Sequence, residues 1–335
     1  MIKPQLDNTF CWFPFYHLAL KDWDHDGSLN TPAPCCVSMN NKEDPMGWEK
    51  WKKDILDKPG NKWQNIFHHE SFQKLRRDAL NNVKNSACQT CWEQESRSGI
   101  SDRLRSSDPL ISEIDIDNPK MISYDLKIDD SCNLRCRMCT PHLSNKLRID
   151  AKQFHERGIE LPETYQASVN TQTRYLQENS HQEVLNTLND KEWNFLLDNL
   201  SSCRELKIAG GEPFTSKIFN ELLDYAIANN YAKDIQLTIL TNATKFSNAT
   251  INKVGKFKKL VAYFSIDGIN KTYEYIRYPM PFKKLQSSVV NFLNNATNYD
   301  GIGHSFTVQV YNIHNVIDYV DYYMEFYSKY IDKLT

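Results

Sequence analysis

Three cysteines lie within eight residues in the segment SCNLRCRMCTP, at Cys132, Cys136 and Cys139. Thiolates are ligands for zinc and iron, so this spacing indicates a metal site. Two kinds of site are open at this point. A closed structural zinc site needs a fourth ligand from elsewhere in the chain. An iron-sulfur cube held by three cysteines instead leaves one iron without a protein ligand, and that position can take a substrate or cofactor. Three thiolates on one loop favour the cluster.

The cysteine segment follows a predicted strand, YDLKI (124–128), and strand ends are where parallel α/β folds place their chemistry. Short apolar runs predict further strands at 205–209, 235–240, 260–266 and 306–311. An amphipathic helical pattern at 219–230 lies between two of them, and the polar connection 141–204 is predicted to be mostly helical. Repeated strand-helix units predict a parallel sheet, open or curled into a barrel.

The first 115 residues have a different character, because they hold seven of the thirteen prolines and all but one of the seven tryptophans. One amphipathic helix is predicted at 70–83, and it leads directly to Cys88 and Cys91. We therefore expect two domains, a loop-rich one at 1–115 that contains cysteines and an α/β one at 120–335.

The formal net charge of -2 gives no electrostatic reason to expect nucleic acid or an anionic membrane as a partner. No basic start leads into an apolar leader, and no apolar run approaches the length that spans a bilayer. Nine cysteines, bunched apart from Cys203, which stands alone, indicate metal or redox chemistry rather than a disulfide framework in a chain without such a leader. The sequence predicts a soluble, cytoplasmic protein.

The spacing Cys132-x3-Cys136-x2-Cys139, with Met138 before the last cysteine, resembles the signature of the radical S-adenosylmethionine (radical SAM) enzymes. The segment IAGGEPF after the next predicted strand is similar to a second mark of that family. Three later segments, TNA, FSIDG and VYNI, also resemble the family's strand ends. The residues that the resemblance assigns to SAM binding are Gly210, Gly211, Glu212, Pro213, Asn242, Ser265, Asp267, Arg277 and Asn312.

The resemblance implies a partial (βα) barrel of five to six parallel strands, with helices outside and a [4Fe-4S] cluster on the three cysteines. In such enzymes the methionine part of SAM binds the open iron, and one electron splits SAM into methionine and a 5'-deoxyadenosyl radical. The radical then abstracts a hydrogen atom from the substrate. Paired glycines suit a backbone that passes close to a ligand, here the methionine amine. Arg277 suits a bidentate hold on the methionine carboxylate.

Family precedents imply a peptide or protein substrate and a one-electron reductant such as flavodoxin or ferredoxin. Two alternatives are kept open: a nucleotide or tRNA base-modifying radical SAM enzyme, and a non-catalytic iron-sulfur electron carrier. A concentrated basic surface would favour the first alternative. An electron carrier would have no need of the GGEP segment at 210–213.

A second set of cysteines, in the first 115 residues, resembles the SPASM/twitch extensions that hold an auxiliary [4Fe-4S] cluster in many radical SAM proteins. The resemblance rests on Cys11, a glycine turn at Asp26 and Gly27, a cysteine after Pro34, and the pair Cys88-x2-Cys91. The resemblance implies Cys11, Cys35, Cys88 and Cys91 as ligands, with Cys35 preferred to Cys36. Zinc is the alternative. In the better-known proteins this extension follows the barrel, whereas here it precedes it.

The end of the chain carries a tyrosine-rich helical pattern after the predicted strand at 306–311. Tyrosines 319, 322, 323, 327 and 330 fall at helical spacing and predict a buried helix face. A full family barrel has six strand-helix units, whereas five strands are predicted here. We expect either a shortened, open barrel, which would suit a peptide, or a chain that lacks its last strand.

Overall fold

The computed structural model describes residues 9–20, 32–38, 58–105, 112–141, 143–161 and 190–330. Its strands join in one sheet in the order β2-β1-β3-β4-β5-β6-β7, in which β2 runs antiparallel to β1 and the other six strands are parallel. The strands are β1 (His17–Leu20), β2 (Pro32–Ala33), β3 (Ser123–Lys127), β4 (Glu205–Ala209), β5 (Gln236–Thr241), β6 (Lys259–Phe264) and β7 (Tyr299–His304). The predicted α/β fold with a sheet of parallel strands is confirmed. The predicted turn at Asp26 and Gly27 lies outside the described residues.

The helices found among the described residues are α1 (Lys62–Phe67), α2 (Glu70–Leu80), α3 (Gln89–Ser98), α4 (Asp102–Arg105), α5 (Asn145–Glu156), α6 (Asp190–Asn199), α7 (Lys217–Ala228), α8 (Asn248–Val254), α9 (Asn270–Ile276), α10 (Phe282–Asn295) and α11 (Val316–Ser328). The helices predicted at 70–83 and 219–230 are confirmed as α2 and α7, each of which buries its apolar stripe. The connection 141–204 contains α5 and α6. None of the helices in these described ranges is long and apolar enough to cross a membrane.

Four of the five predicted strands are confirmed as β3 to β6, and the prediction of a strand at 306–311 is wrong. That run is irregular, and Val308 and Val310 are 58% and 79% exposed. The last strand, β7, lies before the predicted run at 306–311. It contains two glycines and shows no apolar alternation, so its sequence did not predict a strand. Gly303 lies opposite Tyr263 of β6, and a Cβ at Gly303 would meet that ring at 2.8 Å.

An unpredicted strand, β1, comes from the N-terminal region and pairs in parallel with β3, with His17 opposite Ser123. The hydroxyl of Ser123 lies 2.7 Å from His17 Nδ1 and donates a hydrogen bond to Oε2 of Glu205 on β4, also at 2.7 Å. Buried polar groups need such partners. The sixth parallel strand therefore comes from the part of the chain that we predicted to be loop-rich.

The described residues divide into two compact units. The first contains the described residues up to Leu126 together with 190–205, and one of its core clusters joins Phe10, Phe15 and Tyr16 to Ala79. The second contains the described residues of 127–161 and 206–330. Its aromatic core includes Phe214, Phe246, Phe264 and Phe292, with ring centroids 4.5 to 5.6 Å apart. The division into domains 1–115 and 120–335 stays a prediction.

Helix α11, the last one in the described residues, buries the tyrosine face that its sequence predicted. Tyr319 and Tyr323 are buried, and Tyr322, Tyr327 and Tyr330 are half-buried. The hydroxyls of Tyr319 and Tyr327 bond to the two ring nitrogens of His304. The tyrosine stripe is therefore a packing face, as its spacing predicted.

Candidate functional site

The loop that carries Cys132, Cys136 and Cys139 leaves the end of β3 and is fixed by backbone hydrogen bonds to the segment after α9. Arg135 N donates to the carbonyl of Tyr278 at 2.7 Å, and Arg137 N donates to that of Ile276 at 2.9 Å. These two bonds place the cysteine loop directly against the segment that contains Arg277. The start of α5 holds the other side, because Asn145 Oδ1 accepts from Cys132 N at 3.0 Å.

The three thiols of this loop lie close enough to affect one another's ionisation. Burial, together with Cys136, Glu212 and Cys139, raises the pKa of Cys132 to about 12. Burial and Cys136 raise the pKa of Cys139 to about 11. The pKa of Cys136 is also raised by burial, although the Arg277 guanidinium opposes the rise. As free thiols these side chains are protonated at neutral pH, and a bound metal cation is what would turn such a group into thiolates.

Arg277 joins this loop to the end of β6. Its Nη1 donates to Cys136 Sγ at 3.7 Å, and its Nε donates to Asp267 Oδ2 at 2.5 Å. Asp267 is completely buried, and its other carboxylate oxygen accepts from Thr307 N at 2.7 Å. The Asp267 carboxylate therefore orients Arg277, and the guanidinium places its positive charge beside the Cys136 sulfur.

The GGEP segment turns sharply after β4 and packs its backbone on the start of the cysteine loop. Gly210 and Gly211 have φ angles of +88° and +47°, a region that glycine adopts at little cost. A Cβ on Gly211 would overlap the carbonyl oxygen of Ser131 and lie 2.9 Å from its carbonyl carbon. Glu212 N donates to that same oxygen at 2.6 Å. The close approach that requires a glycine here is one between two loops of the chain.

Glu212 is completely buried and accepts three hydrogen bonds from neutral donors. These donors are Thr241 Oγ1 at 2.7 Å, Asn242 N at 2.6 Å and Phe214 N at 3.2 Å. Burial raises the pKa of Glu212 to about 7, while the donors and the more distant Arg277 lower it. Pro213, the next residue, begins a short 3-10 turn for which Glu212 is the N-cap. This carboxylate is therefore held in place by neutral donors and suits a cationic ligand.

The remaining predicted SAM-binding residues differ in the hydrogen bonds that they already form within the protein. The Asn312 amide donates to the carbonyls of Asp267 and Thr307 and accepts from Gln309 N, which gives it a structural role. Asn242 donates to Asn133 Oδ1 at 2.9 Å and accepts from Thr244. Ser265 follows β6, is half-buried and donates its N–H to Thr241 O. Contacts of all three with SAM stay predictions.

Sequence reasoning missed the acidic pair that precedes the cysteines, Asp129 and Asp130. Asp129 accepts from Ser131 N at 3.0 Å and from Ser216 Oγ at 2.5 Å, so it ties the cysteine loop to the start of α7. Asp130 forms a buried ion pair with Arg148 of α5, with the atoms 2.9 Å apart. Two adjacent acids at a strand end were the only sequence signal, and their partners are distant along the chain.

The cysteines of the first unit also come together. Cys11, Cys35 and Cys91 are buried and Cys88 is half-buried, whereas Cys36 is exposed. The pKa of Cys11 is raised well above its usual value by burial and by Cys35, Cys88 and Cys91. Burial and Cys88 raise the pKa of Cys35 to about 12. Of the two adjacent cysteines, Cys35 is therefore the one that faces the other three.

Arg103 links the segment that contains Cys11 to the helix that carries Cys91. Its side chain is 4% exposed and makes a two-pronged ion pair with Glu95, at 2.6 Å and 3.0 Å. Its Nη1 also donates to the carbonyl of Phe10, the neighbour of Cys11, at 2.8 Å. Because Glu95 lies on α3 one turn after Cys91, this clamp fixes the Cys11 segment relative to that helix.

Two observations bear on the kind of metal group. None of the nine cysteines, all within the described residues, forms a disulfide. In the described part of the chain, no group of three or more His, Cys, Asp or Glu side chains could hold one metal ion. In the first set the pKa of Cys11 is raised by burial and its cysteine neighbours, and in the second set burial and Cys136 raise the pKa of Cys139.

No protein-family model and no curated protein sequence matches this chain. Among solved structures, it is similar to anSMEcpe with bound AdoMet and Cp18Cys peptide, with 15% identity over 59% of this chain and 46% of that one, at a TM-score of 0.39. It is also similar to Streptococcus suis SuiB bound to precursor peptide SuiA, with 13% identity over 82% of this chain and 49% of that one, at a TM-score of 0.30. The chain thus spans about half the length of these two proteins.

Proposed function

We propose that this chain is a radical SAM enzyme that reductively cleaves S-adenosylmethionine at a [4Fe-4S] cluster held by Cys132, Cys136 and Cys139. The observation that carries this proposal is the convergence of a three-thiol loop, a cation and a buried carboxylate at the carboxyl ends of β3, β4 and β6. Parallel α/β folds place their chemistry at these strand ends.

The protein's own residues then have distinct tasks. The three thiolates hold three irons and leave the fourth for a ligand. Arg277 lies beside Cys136, where its charge offsets thiolate charge, and Asp267 fixes the orientation of the guanidinium. Glu212, which is buried and bonded only to neutral donors, accepts the methionine ammonium group.

When bound, the reduced cluster supplies the electron that splits SAM into methionine and a 5'-deoxyadenosyl radical, which abstracts a hydrogen atom from the substrate. The protein must keep water and other hydrogen donors away from that radical. We further propose a peptide or protein substrate and a flavodoxin- or ferredoxin-type reductant. In the first unit, we propose an auxiliary [4Fe-4S] cluster on Cys11, Cys35, Cys88 and Cys91, whose four buried or half-buried thiols support it.

The test is anaerobic reconstitution with iron and sulfide, followed by dithionite and SAM. The wild type should release 5'-deoxyadenosine, and Cys136→Ala should release none because it loses one of three ligands. A matched control is Cys203→Ala, since Cys203 is buried but separate from both cysteine sets. If the wild type holds an intact cluster and makes no 5'-deoxyadenosine, the electron-carrier alternative replaces this proposal.

A further inference from the structure

A buried hydroxyl without a partner lies in the second unit on α9. Tyr273 is completely buried, and its Oη has no hydrogen-bond partner within the described residues. A buried hydroxyl without a partner loses its hydrogen bond to water and gains none in return, so native proteins rarely leave one without a reason. The ring itself is well packed, with its centroid 5.6 Å from that of Phe282. The unpaired atom is therefore the phenol oxygen of a firmly held side chain.

Tyr273 lies one helical turn before Arg277, which belongs to the proposed site. Tyr273 and Arg277 are four residues apart, and Arg277 N donates to the Tyr273 carbonyl at 2.7 Å, so the two side chains share one face of the helix. Arg277 is the residue that reaches Cys136 and Asp267. Burial raises the pKa of Tyr273, and Cys136, Asp267 and Glu212 add to this rise, whereas the Arg277 guanidinium opposes it.

The backbone around α9 is built so that this helix packs tightly on the end of β6. A Cβ on Gly268 would lie 3.1 Å from Tyr273 N and 3.0 Å from the Thr272 side chain. A glycine directly after Asp267 therefore lets the strand end approach the turn that carries Tyr273. The phenol is held rigidly, as a group that positions a ligand needs to be.

We infer that Tyr273 is a further SAM-binding residue, whose hydroxyl donates a hydrogen bond to an acceptor oxygen of SAM bound between Arg277 and Glu212. This inference rests on the proposed function. It explains why a completely buried phenol oxygen has no hydrogen-bond partner within the described residues. Neither the cysteine spacing nor the GGEP segment points to this residue.

The experiment compares the wild type with Tyr273→Phe, both reconstituted anaerobically and kept without reductant so that SAM binds but is not cleaved. Loss of a hydrogen bond to a charged ligand should weaken SAM binding about tenfold to hundredfold, measured by calorimetry. The metal-free variant should melt no earlier than the wild type, because the hydroxyl has no hydrogen-bond partner among the residues that the structure describes.

Tyr124→Phe is the matched control, since the Tyr124 hydroxyl is also buried but donates to the carbonyl of Met121 at 3.2 Å. That variant should melt earlier and bind SAM as the wild type does. Equal SAM affinity of Tyr273→Phe and wild type would overturn the inference, and so would earlier melting of metal-free Tyr273→Phe. If the wild type itself binds no SAM, the proposed function fails instead.

Discussion

Replacing Gly211 by alanine tests whether the GGEP turn and the cysteine loop depend on one close backbone contact. Gly211 has a φ of +47°, and an added Cβ would overlap the Ser131 carbonyl oxygen, which also accepts the hydrogen bond from Glu212 N. Backbone cannot move aside as a flexible side chain can. The two loops must therefore separate, and that hydrogen bond is lost.

The magnitude follows from two contributions. An alanine in the left-handed region costs about 1–2 kcal/mol. Forcing packed groups apart adds about 1–3 kcal/mol. Gly211→Ala should therefore lower the free energy of unfolding by about 2–5 kcal/mol. Gly158→Ala is the matched control in the same unit, because Gly158 has a φ of +69° and nothing within 4 Å of an added Cβ. Gly158→Ala should lose only the free energy that alanine costs in the left-handed region.

The assay is urea denaturation of the metal-free proteins followed by circular dichroism, together with iron content after reconstitution. Gly211→Ala should show the lower midpoint and should bind less iron than Gly158→Ala. If the two variants have equal midpoints and equal iron, the contact between Gly211 and Ser131 does not position the cysteine loop.

Three further predictions concern other parts of the chain. Cys91→Ser should lower the iron bound after reconstitution by about half, because one of two equal clusters is lost. The control variant Cys203→Ser should keep the iron content of the wild type. Equal iron content in the two variants would contradict the auxiliary cluster. Arg277→Met leaves the buried Asp267 carboxylate unpaired and should cost about 3–5 kcal/mol in thermal unfolding. Adding Asp267→Asn should restore part of this loss, and a single variant as stable as the wild type would refute the ion pair's role. Burial lowers the pKa of His304 to about 4, below its usual value, so the native state binds fewer protons than the unfolded chain. The contribution of neutral His304 to the free energy of unfolding is fully present above pH about 6.5 and is lost as the pH falls toward 4. His304→Gln should therefore reduce the slope of melting temperature against pH between pH 4 and 6.5. An unchanged slope would mean that other groups cause the pH dependence.

The sequence alone determined those features whose signals are local. The spacing of Cys132, Cys136 and Cys139 is fixed along a short loop, so the sequence alone predicted that these three thiols lie close together. Strands β3 to β6 and helices α2 and α7 were predictable because apolar residues recur with the period of each structure. The buried tyrosine face of α11 followed from the same rule.

Only the tertiary structure decided which distant segments meet. Arg277 reaches Cys136 because backbone bonds hold the cysteine loop to Ile276 and Tyr278, more than 130 residues away in sequence. Strand β1 was not predictable, since its four residues carry no alternation and gain stability by pairing with β3. The glycine pair was predicted to approach a ligand, and the structure shows Gly211 against the Ser131 backbone. The unpaired Tyr273 hydroxyl becomes visible only when its surroundings are known, because burial and hydrogen-bond partners come from long-range packing rather than from neighbouring residues.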